Sequence, residues 1–426
     1  MDSTALQDAV RTEVERYADR NPRSAQRHER AAKSMPGGNT RSILHFEPFP
    51  LGFERGEDAY LWSLDGDRYA DFLGEFTAAL YGHTQTAILD AVRDALGRGL
   101  SFGGVNELEP RLAELVCARF PSVDLVRFTN SGTEANLMAL ALAVATTGRR
   151  RILAFRGGYH GGVLTFGDGP SPVTVPHEWV LADYDDVDGS RDLIREHGPE
   201  LAAVLVEPML GSGGCVPATA EFLAMLREET TACGALLVFD EVMTSRLAPG
   251  GLQSVVGVLP DLTTLGKYLG GGLSFGAFGG RADLMAAYDP TRPGSLFHAG
   301  TFNNNVLTMS AGIAGLEQVL TDDVLIEVND RGDRLRTALD AVAAPVGLHV
   351  SGRGSLMTIH PAPYPIIASL PLGDAQSAVK ELVFFGLVNR GFWLARRGML
   401  TVSIPTTDEM CDELVAAFAD VVSTYL

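Results

Sequence analysis

Lysine is almost missing from this chain. Its 426 residues carry 34 cationic side chains, of which only Lys33, Lys267 and Lys380 are lysines; the rest are arginines. Positive charge is also scarce against 53 carboxylates. The net charge of −19 excludes wholesale binding of a nucleic-acid backbone, so an anionic ligand would need local cationic groups. Cysteine is sparse as well. Cys117, Cys215, Cys233 and Cys411 show no CxxC or other metal-like spacing, which argues against a disulfide framework and fits a reducing compartment. No apolar run reaches the roughly eighteen residues of a membrane span. The stretch "MDSTALQDAVRTEVERYADRNP" carries charges where a signal segment would be apolar, so the expectation is a soluble cytoplasmic protein with neither membrane nor nucleic-acid partner. The histidines form no HExxH-type pattern, and no metal is expected. A GxxxxGK[ST] phosphate loop is absent too, because Gly266-Lys267 is followed by Tyr268.

What is present reads as an ordinary globular chain, 46% hydrophobic and 20% charged, long enough for a large and a small domain. Residues 4–34 have the pattern of one charged helix, closed by "MPGGN". "AYLWSLDGDRYADF" alternates around an Asp65-Gly66 turn and predicts a hairpin. Beyond residue 85, helical patterns such as "LEPRLAELVCARF" and "EANLMALALAVATT" interleave with short apolar runs. Four of these runs, 125–129, 151–155, 202–208 and 235–241, are expected to be strands. Interleaving of this kind predicts an α/β architecture built on a mainly parallel sheet covered by helices. The expected division is an N-terminal segment over 1–70 that joins the small domain, a large domain over 71–310, and the small domain over 311–426.

Ligands of open parallel sheets collect at the carboxyl ends of the strands, and unusual residues stand at several of these ends. "NSGTEAN" follows the first strand and opens a helix. Ser131, Gly132 and Thr133 there offer hydroxyls and backbone N–H groups suited to an anion, although the same residues also suit a plain helix cap. "RGGYHGG" presents Tyr159 between glycines, where a ring could stack on a flat ligand or simply lie on a mobile loop. Asp240 closes a strongly apolar strand and needs either a partner or an escape to solvent. "TLGKYLGGGL" sets Lys267 alone among glycines. A phosphate cradle, a stacking ring, a buried carboxylate and an isolated amine together match the needs of pyridoxal 5'-phosphate. The phosphate needs a helix start, the ring nitrogen needs a carboxylate to stay protonated, and the aldehyde needs an amine that arginine cannot replace. Lys267 is therefore the expected Schiff-base lysine, with Asp240 as its catalytic companion.

The ordered set "NSGTEA", "GGYHG", "VEP", "DEVMT", "LGKYLGGG", "GAFGG" and "GTFNNN" resembles the class III (ω-type) aminotransferases of the fold type I pyridoxal-phosphate superfamily, from about residue 30 onward. The resemblance implies a seven-stranded, mostly parallel sheet in the large domain and a small domain from both termini. It also implies that Tyr159 and Val242 flank the coenzyme ring, that Asp240 pairs with its nitrogen, and that Glu207 lies near its phenolic edge. Thr301 would reach the phosphate of a neighbouring subunit in an obligate homodimer. Two subfamilies compete. "MPGGNTRSILHF" and "LSFGGVNELE" resemble glutamate-1-semialdehyde aminomutases, while "NTRS", "GGYHGGVL" and "GTFNNNVLTM" are more similar to aromatic β-amino-acid (β-phenylalanine) aminotransferases. Phe302-Asn303-Asn304 replaces the Ser-Gly-Asn that the mutases tend to show, which favours the aminotransferases. That similarity makes Arg41 the expected holder of the substrate carboxylate, and Arg397, or its neighbour Arg396, the site for the carboxylate of a 2-oxo acid such as 2-oxoglutarate or pyruvate. Phe46, Phe49 and Tyr81 are candidate pocket walls, with core packing as the alternative.

Overall fold

The computed structural model describes residues 3–362 and 372–426. Its centre is a seven-stranded sheet in the order Leu125–Thr129, Gly276–Gly280, Leu262–Gly266, Leu236–Asp240, Leu201–Val206, Arg151–Phe155, Glu178–Ala182. Only Gly276–Gly280 runs antiparallel to its neighbours. The apolar runs at 125–129, 151–155, 202–208 and 235–241 are strands as expected, the last two ending earlier, at Val206 and Asp240.

Both faces of the sheet are covered, which is why its strands are apolar without alternation. Alternation survives as a division between the two faces. Leu236 and Val238 pack with Ala135, Ala139 and Leu142 of the helix Gly132–Thr147. Leu237 and Phe239 pack with Phe222, Leu223 and Leu226 of the helix Ala220–Cys233. Asp240 shares the parity of Leu236 and Val238, so its carboxyl faces the helix Gly132–Thr147. Ser131 caps that helix by accepting from Glu134 N at 3.2 Å, and Gly148 ends it with φ 67°.

Both ends of the chain build the remainder. The hairpin Tyr60–Ser63 and Arg68–Asp71 forms as predicted, and Phe392–Trp393 pairs in parallel with its second strand. The helix Ser3–Arg20 packs on the helix Asp374–Asn389. The single helix expected over 4–34 is in fact two, Ser3–Arg20 and Pro22–Ala32. Pro22 lacks an N–H and cannot continue a helix, but its fixed φ suits the first turn of a new one.

Candidate active site

Tyr159, Glu207, Asp240 and Lys267 lie with the start of the helix Gly132–Thr147 at one edge of the sheet, the carboxyl ends of its parallel strands. Asp240 is buried and held by three donors. Its Oδ2 accepts from Asn136 Nδ2 and from His160 Nδ1, each at 2.8 Å, and its Oδ1 accepts from Val242 N at 3.0 Å. A carboxylate only accepts, so Nδ1 of His160 carries the proton. Asn136 is fixed in turn by Thr264 Oγ1, which donates to its Oδ1 at 2.8 Å. No lysine or arginine pairs with Asp240 among the described residues, so its charge stays available to a cationic ring nitrogen.

Glu207 accepts from Tyr159 N and Gly211 N, both at 2.9 Å. Burial pushes its carboxyl up to about 7, opposed by His160 and reinforced by Asp240. The hydrogen bond from Tyr159 N fixes the backbone of a loop whose aromatic ring stays half-exposed. Val242 lies so close to the start of the helix Gly132–Thr147 that a Cβ on Gly132 would stand 2.8 Å from its Cγ2. Ser131 is a true helix cap, but the amides of Gly132 and Thr133 have no acceptor among the described residues, and they open a helix of 16 residues. The cap and the anion readings are therefore compatible. Glu241, by contrast, is a structural carboxylate that accepts from Leu252 N, Gln253 N, Gln253 Nε2 and Thr244 Oγ1.

Lys267 has φ 56°, a left-handed backbone that costs a non-glycine residue of order 1–3 kcal/mol and that persists where the surroundings enforce it. Its Nζ donates to the carbonyl oxygen of Phe76. Burial first, then the charge of Arg397, lowers its amine from 10.5 to about 8, against the opposing pull of Asp240.

Phe76 draws the rest of the site together. The guanidinium carbon of Arg41 lies 5.1 Å from the centre of its ring, and that of Arg397 lies 5.4 Å from the same centre. Arg41 also pairs with Glu75. Arg397 has no carboxylate partner among the described residues. Its Nε is unpaired, its Nη2 meets only Met399 Sδ at 3.1 Å, and burial lowers its pKa. Arg396 is spent on Glu381, whose two oxygens lie 2.8 and 2.9 Å from its Nε. Of the two arginines, Arg397 is thus the one left without a carboxylate partner among the described residues.

Thr301 is exposed on the loop before the helix Val306–Ala314. Asn303 ties this loop to Asn130, and Asn304 ties it to Gly104 and Asn106. Of the two readings of Phe46, Phe49 and Tyr81, core packing is the one their burial supports. Phe46 packs 5.1 Å from Phe384, Phe49 5.3 Å from Tyr17, and Tyr81 6.3 Å from Tyr268, all within the core.

The sequence assigned no role to Asn136, His160, Arg246 or the segment Gly74–Thr77. Asn136 had a signal, a polar residue in a helix otherwise apolar through its buried face. Arg246 is fully buried and donates to Thr77 O, Val402 O and Ser355 Oγ, with burial pulling it down to about 10.

Comparison with known proteins agrees with this geometry. The family profile described as aminotransferase class-III matches residues 45–166 and 184–422. A β-phenylalanine transaminase of Variovorax paradoxus is 51% identical over 419 residues, 98% of this chain and 96% of the relative. The crystal structure of a β-phenylalanine aminotransferase from the same organism superposes with a TM-score of 0.96 at 50% identity, covering 98% of each chain. A glutamate-1-semialdehyde 2,1-aminomutase of Rhodopirellula baltica is 36% identical over 418 residues, 93% of this chain and 95% of the relative. A transaminase solved with PLP bound superposes with a TM-score of 0.88 at 31% identity, over 95% of this chain and 98% of its own.

Proposed function

The chain belongs to the class III aminotransferases, and from that premise we propose that it moves the amino group of an aromatic β-amino acid, of the β-phenylalanine kind, to a 2-oxo acid such as 2-oxoglutarate or pyruvate. It is a fold type I enzyme dependent on pyridoxal 5'-phosphate. The residues present fit that coenzyme: unpaired amides at a helix start, a half-exposed ring at Tyr159, a buried carboxylate without a cationic partner, and a buried amine with lowered pKa. When bound, the coenzyme supplies an aldehyde for the substrate amine and a protonated ring that accepts electrons from the substrate carbon. Ser131, Gly132 and Thr133 would hold its phosphate, Tyr159 and Val242 would bracket its ring, and Glu207 would lie near its phenolic edge. Asp240 would keep the ring nitrogen protonated, and His160 and Asn136 fix the angle of its carboxylate. Lys267 Nζ takes the proton from the carbon that bears the substrate amine.

One observation carries the substrate reading. Arg41 and Arg397 stack on one ring, and the carbonyl of that same residue receives Lys267 Nζ. Two guanidinium groups on the ring of the residue whose carbonyl receives the amine suit two substrates that each carry a carboxylate. Arg41 holds the carboxylate of the β-amino acid, and Arg397 that of the oxo acid.

The active unit in this reading is a homodimer, in which Thr301 serves the phosphate of the other subunit. Phe297 (88% exposed) and Val105 (90% exposed), with Phe102 and Phe302, support a second copy as the cover of this face. Residues 71–310 make the coenzyme domain, and 1–70 with 311–426 the smaller one, as the pairing of Phe392–Trp393 with Arg68–Asp71 supports. Four unbridged cysteines support a cytoplasmic setting, and no helix among the described residues is long and apolar enough to cross a membrane.

The alternative, an intramolecular aminomutase, has the 36% relative in its favour. A substrate panel separates the two: 3-amino-3-phenylpropanoate, α-alanine, an ω-amine and glutamate 1-semialdehyde, each with 2-oxoglutarate, with pyruvate, or with no oxo acid. Turnover of the first donor that requires an oxo acid is expected. Sustained turnover of the semialdehyde without an acceptor would overturn the proposal.

A further inference from the structure

Residues 74–77 adopt a conformation that their side chains do not favour. Gly74 has φ 54°, and it is followed by Glu75, Phe76 and Thr77 at 48°, 51° and 81°. Three non-glycine residues in succession in left-handed space is a strained arrangement, and such strain persists only where neighbours over-determine it. Here they do. Asp71 Oδ1 accepts from Leu73 N and Gly74 N at 2.9 and 3.0 Å, Ala79 N donates to Gly74 O at 2.9 Å, and Arg246 donates to Thr77 O at 3.0 Å. The outcome is a short segment that meets four cations. Glu75 pairs with Arg41, the Phe76 ring takes Arg41 and Arg397, the Phe76 carbonyl takes Lys267, and the Thr77 carbonyl takes Arg246.

The Arg41–Glu75 pair contributes little to stability. Its side chains are 43% and 59% exposed, and ion pairs so open to water are weak and readily exchanged. Its position gives it another role. We propose that Glu75 is a specificity determinant, an internal carboxylate that occupies Arg41 until a substrate carboxylate takes its place. The inference rests on the reading of Arg41 as the holder of the donor carboxylate.

Two consequences follow with opposite signs. For a donor that carries a carboxylate, Glu75 is a competitor, and the apparent affinity is reduced by the fraction of Arg41 already engaged. For a donor that lacks one, Glu75 is a helper, since it keeps the guanidinium from being covered without a partner. An exchange this weak corresponds to about two- to sixfold in each apparent constant.

The test compares 3-amino-3-phenylpropanoate with 1-phenylethylamine, in which a methyl group replaces the carboxymethyl arm, on PLP-loaded enzyme. Glu75→Gln is expected to lower KM for the acid about two- to sixfold and to raise KM for the amine, with the changes carried by KM rather than kcat. Calorimetric titration with 3-phenylpropanoate is expected to show a tighter Kd in Glu75→Gln by a similar factor. Glu75 is exposed and glutamine is isosteric, so the variant folds. Equal shifts for both donors, no shift, or a raised KM for the acid would overturn the proposal. Arg41→Met separates its failure from that of the reading beneath it. If Arg41→Met leaves the acid's KM unchanged, the role of Arg41 itself is wrong; if it raises that KM while Glu75→Gln changes nothing, only the role of Glu75 is lost.

Discussion

Burial, and after it the guanidinium of Arg397, draws the Lys267 amine from 10.5 down to about 8. Capture of an aldehyde requires the neutral amine, so this shift sets how coenzyme uptake depends on pH. In PLP-stripped enzyme the neutral fraction rises about tenfold per pH unit below the break and levels off above it. Uptake of PLP, followed by rapid mixing, is expected to climb up to about pH 8 and then flatten, whereas an ordinary lysine would keep accelerating toward 10.5. Arg397→Met removes a cationic neighbour that disfavours the charged amine, so its break is expected at higher pH. A wild-type rate still climbing tenfold per unit above pH 9 would contradict the assignment. Lys267 and Asp240 were legible in the sequence for physical reasons. Arginine does nearly all the other cationic work of the chain, and a carboxylate closing an apolar strand needs partners. Arg396 and Arg397 were not separable, because the carboxylate that consumes one of them, Glu381, stands 15 residues away on another element. Nothing in "GEFT" announces a left-handed backbone either, since it is imposed by Arg246, Asp71 and Lys267 from elsewhere in the chain.

At the scale of elements, the strand Gly276–Gly280 fixes the start of the helix Gly132–Thr147. A Cβ on Gly276 would lie 2.1 Å from Ser131 O and 2.4 Å from Ser131 C, and that backbone cannot yield without moving the helix cap. A Cβ on Gly132 would instead meet the Val242 methyls at 2.8 and 2.9 Å, and a side chain can shift. The two alanine substitutions therefore separate stability from coenzyme binding. Gly276→Ala is expected to destabilise by about 3 kcal/mol, at the upper end of the overpacking range, and Gly132→Ala by about 1 kcal/mol while loosening PLP by displacing Val242. Urea unfolding and PLP titration on both variants check this, and a larger stability loss in Gly132→Ala would refute it. The same glycines explain why the fold was read only in part. The strands at 125–129, 151–155, 201–206 and 236–240 announce themselves as apolar runs. "GAFGG" reads as a turn by propensity, although its glycines are there because Ser131, Leu125 and Asp261 approach it too closely for side chains. "LTTLG" hides behind two buried threonines, Thr263 and Thr264, whose hydroxyls are satisfied by Ser122 and Asn136.

The whole molecule presents an apolar face that conflicts with its charge. Phe297, Phe302, Val105 and Phe102 stand in water on two loops joined through Asn304, while each chain carries a net charge of −19 that repels a second copy. A dimer built on this face therefore balances apolar burial, about 25 cal/mol per Å² removed from water, against a repulsion that salt screens. Association should then tighten with ionic strength, the reverse of what an interface held by ion pairs would do. Sedimentation of the wild-type enzyme is expected to give twice the chain mass of 45.5 kDa. The double substitution Val105→Asp with Phe297→Asp places two more carboxylates on the face and is expected to shift the enzyme to monomers at low salt, with partial recovery as salt rises. PLP retention should fall in parallel, because each cradle of Ser131, Gly132 and Thr133 would lose Thr301 of the partner subunit. A monomer that keeps its coenzyme and full turnover would show that each chain completes its own site, and that the exposed aromatics serve some other contact.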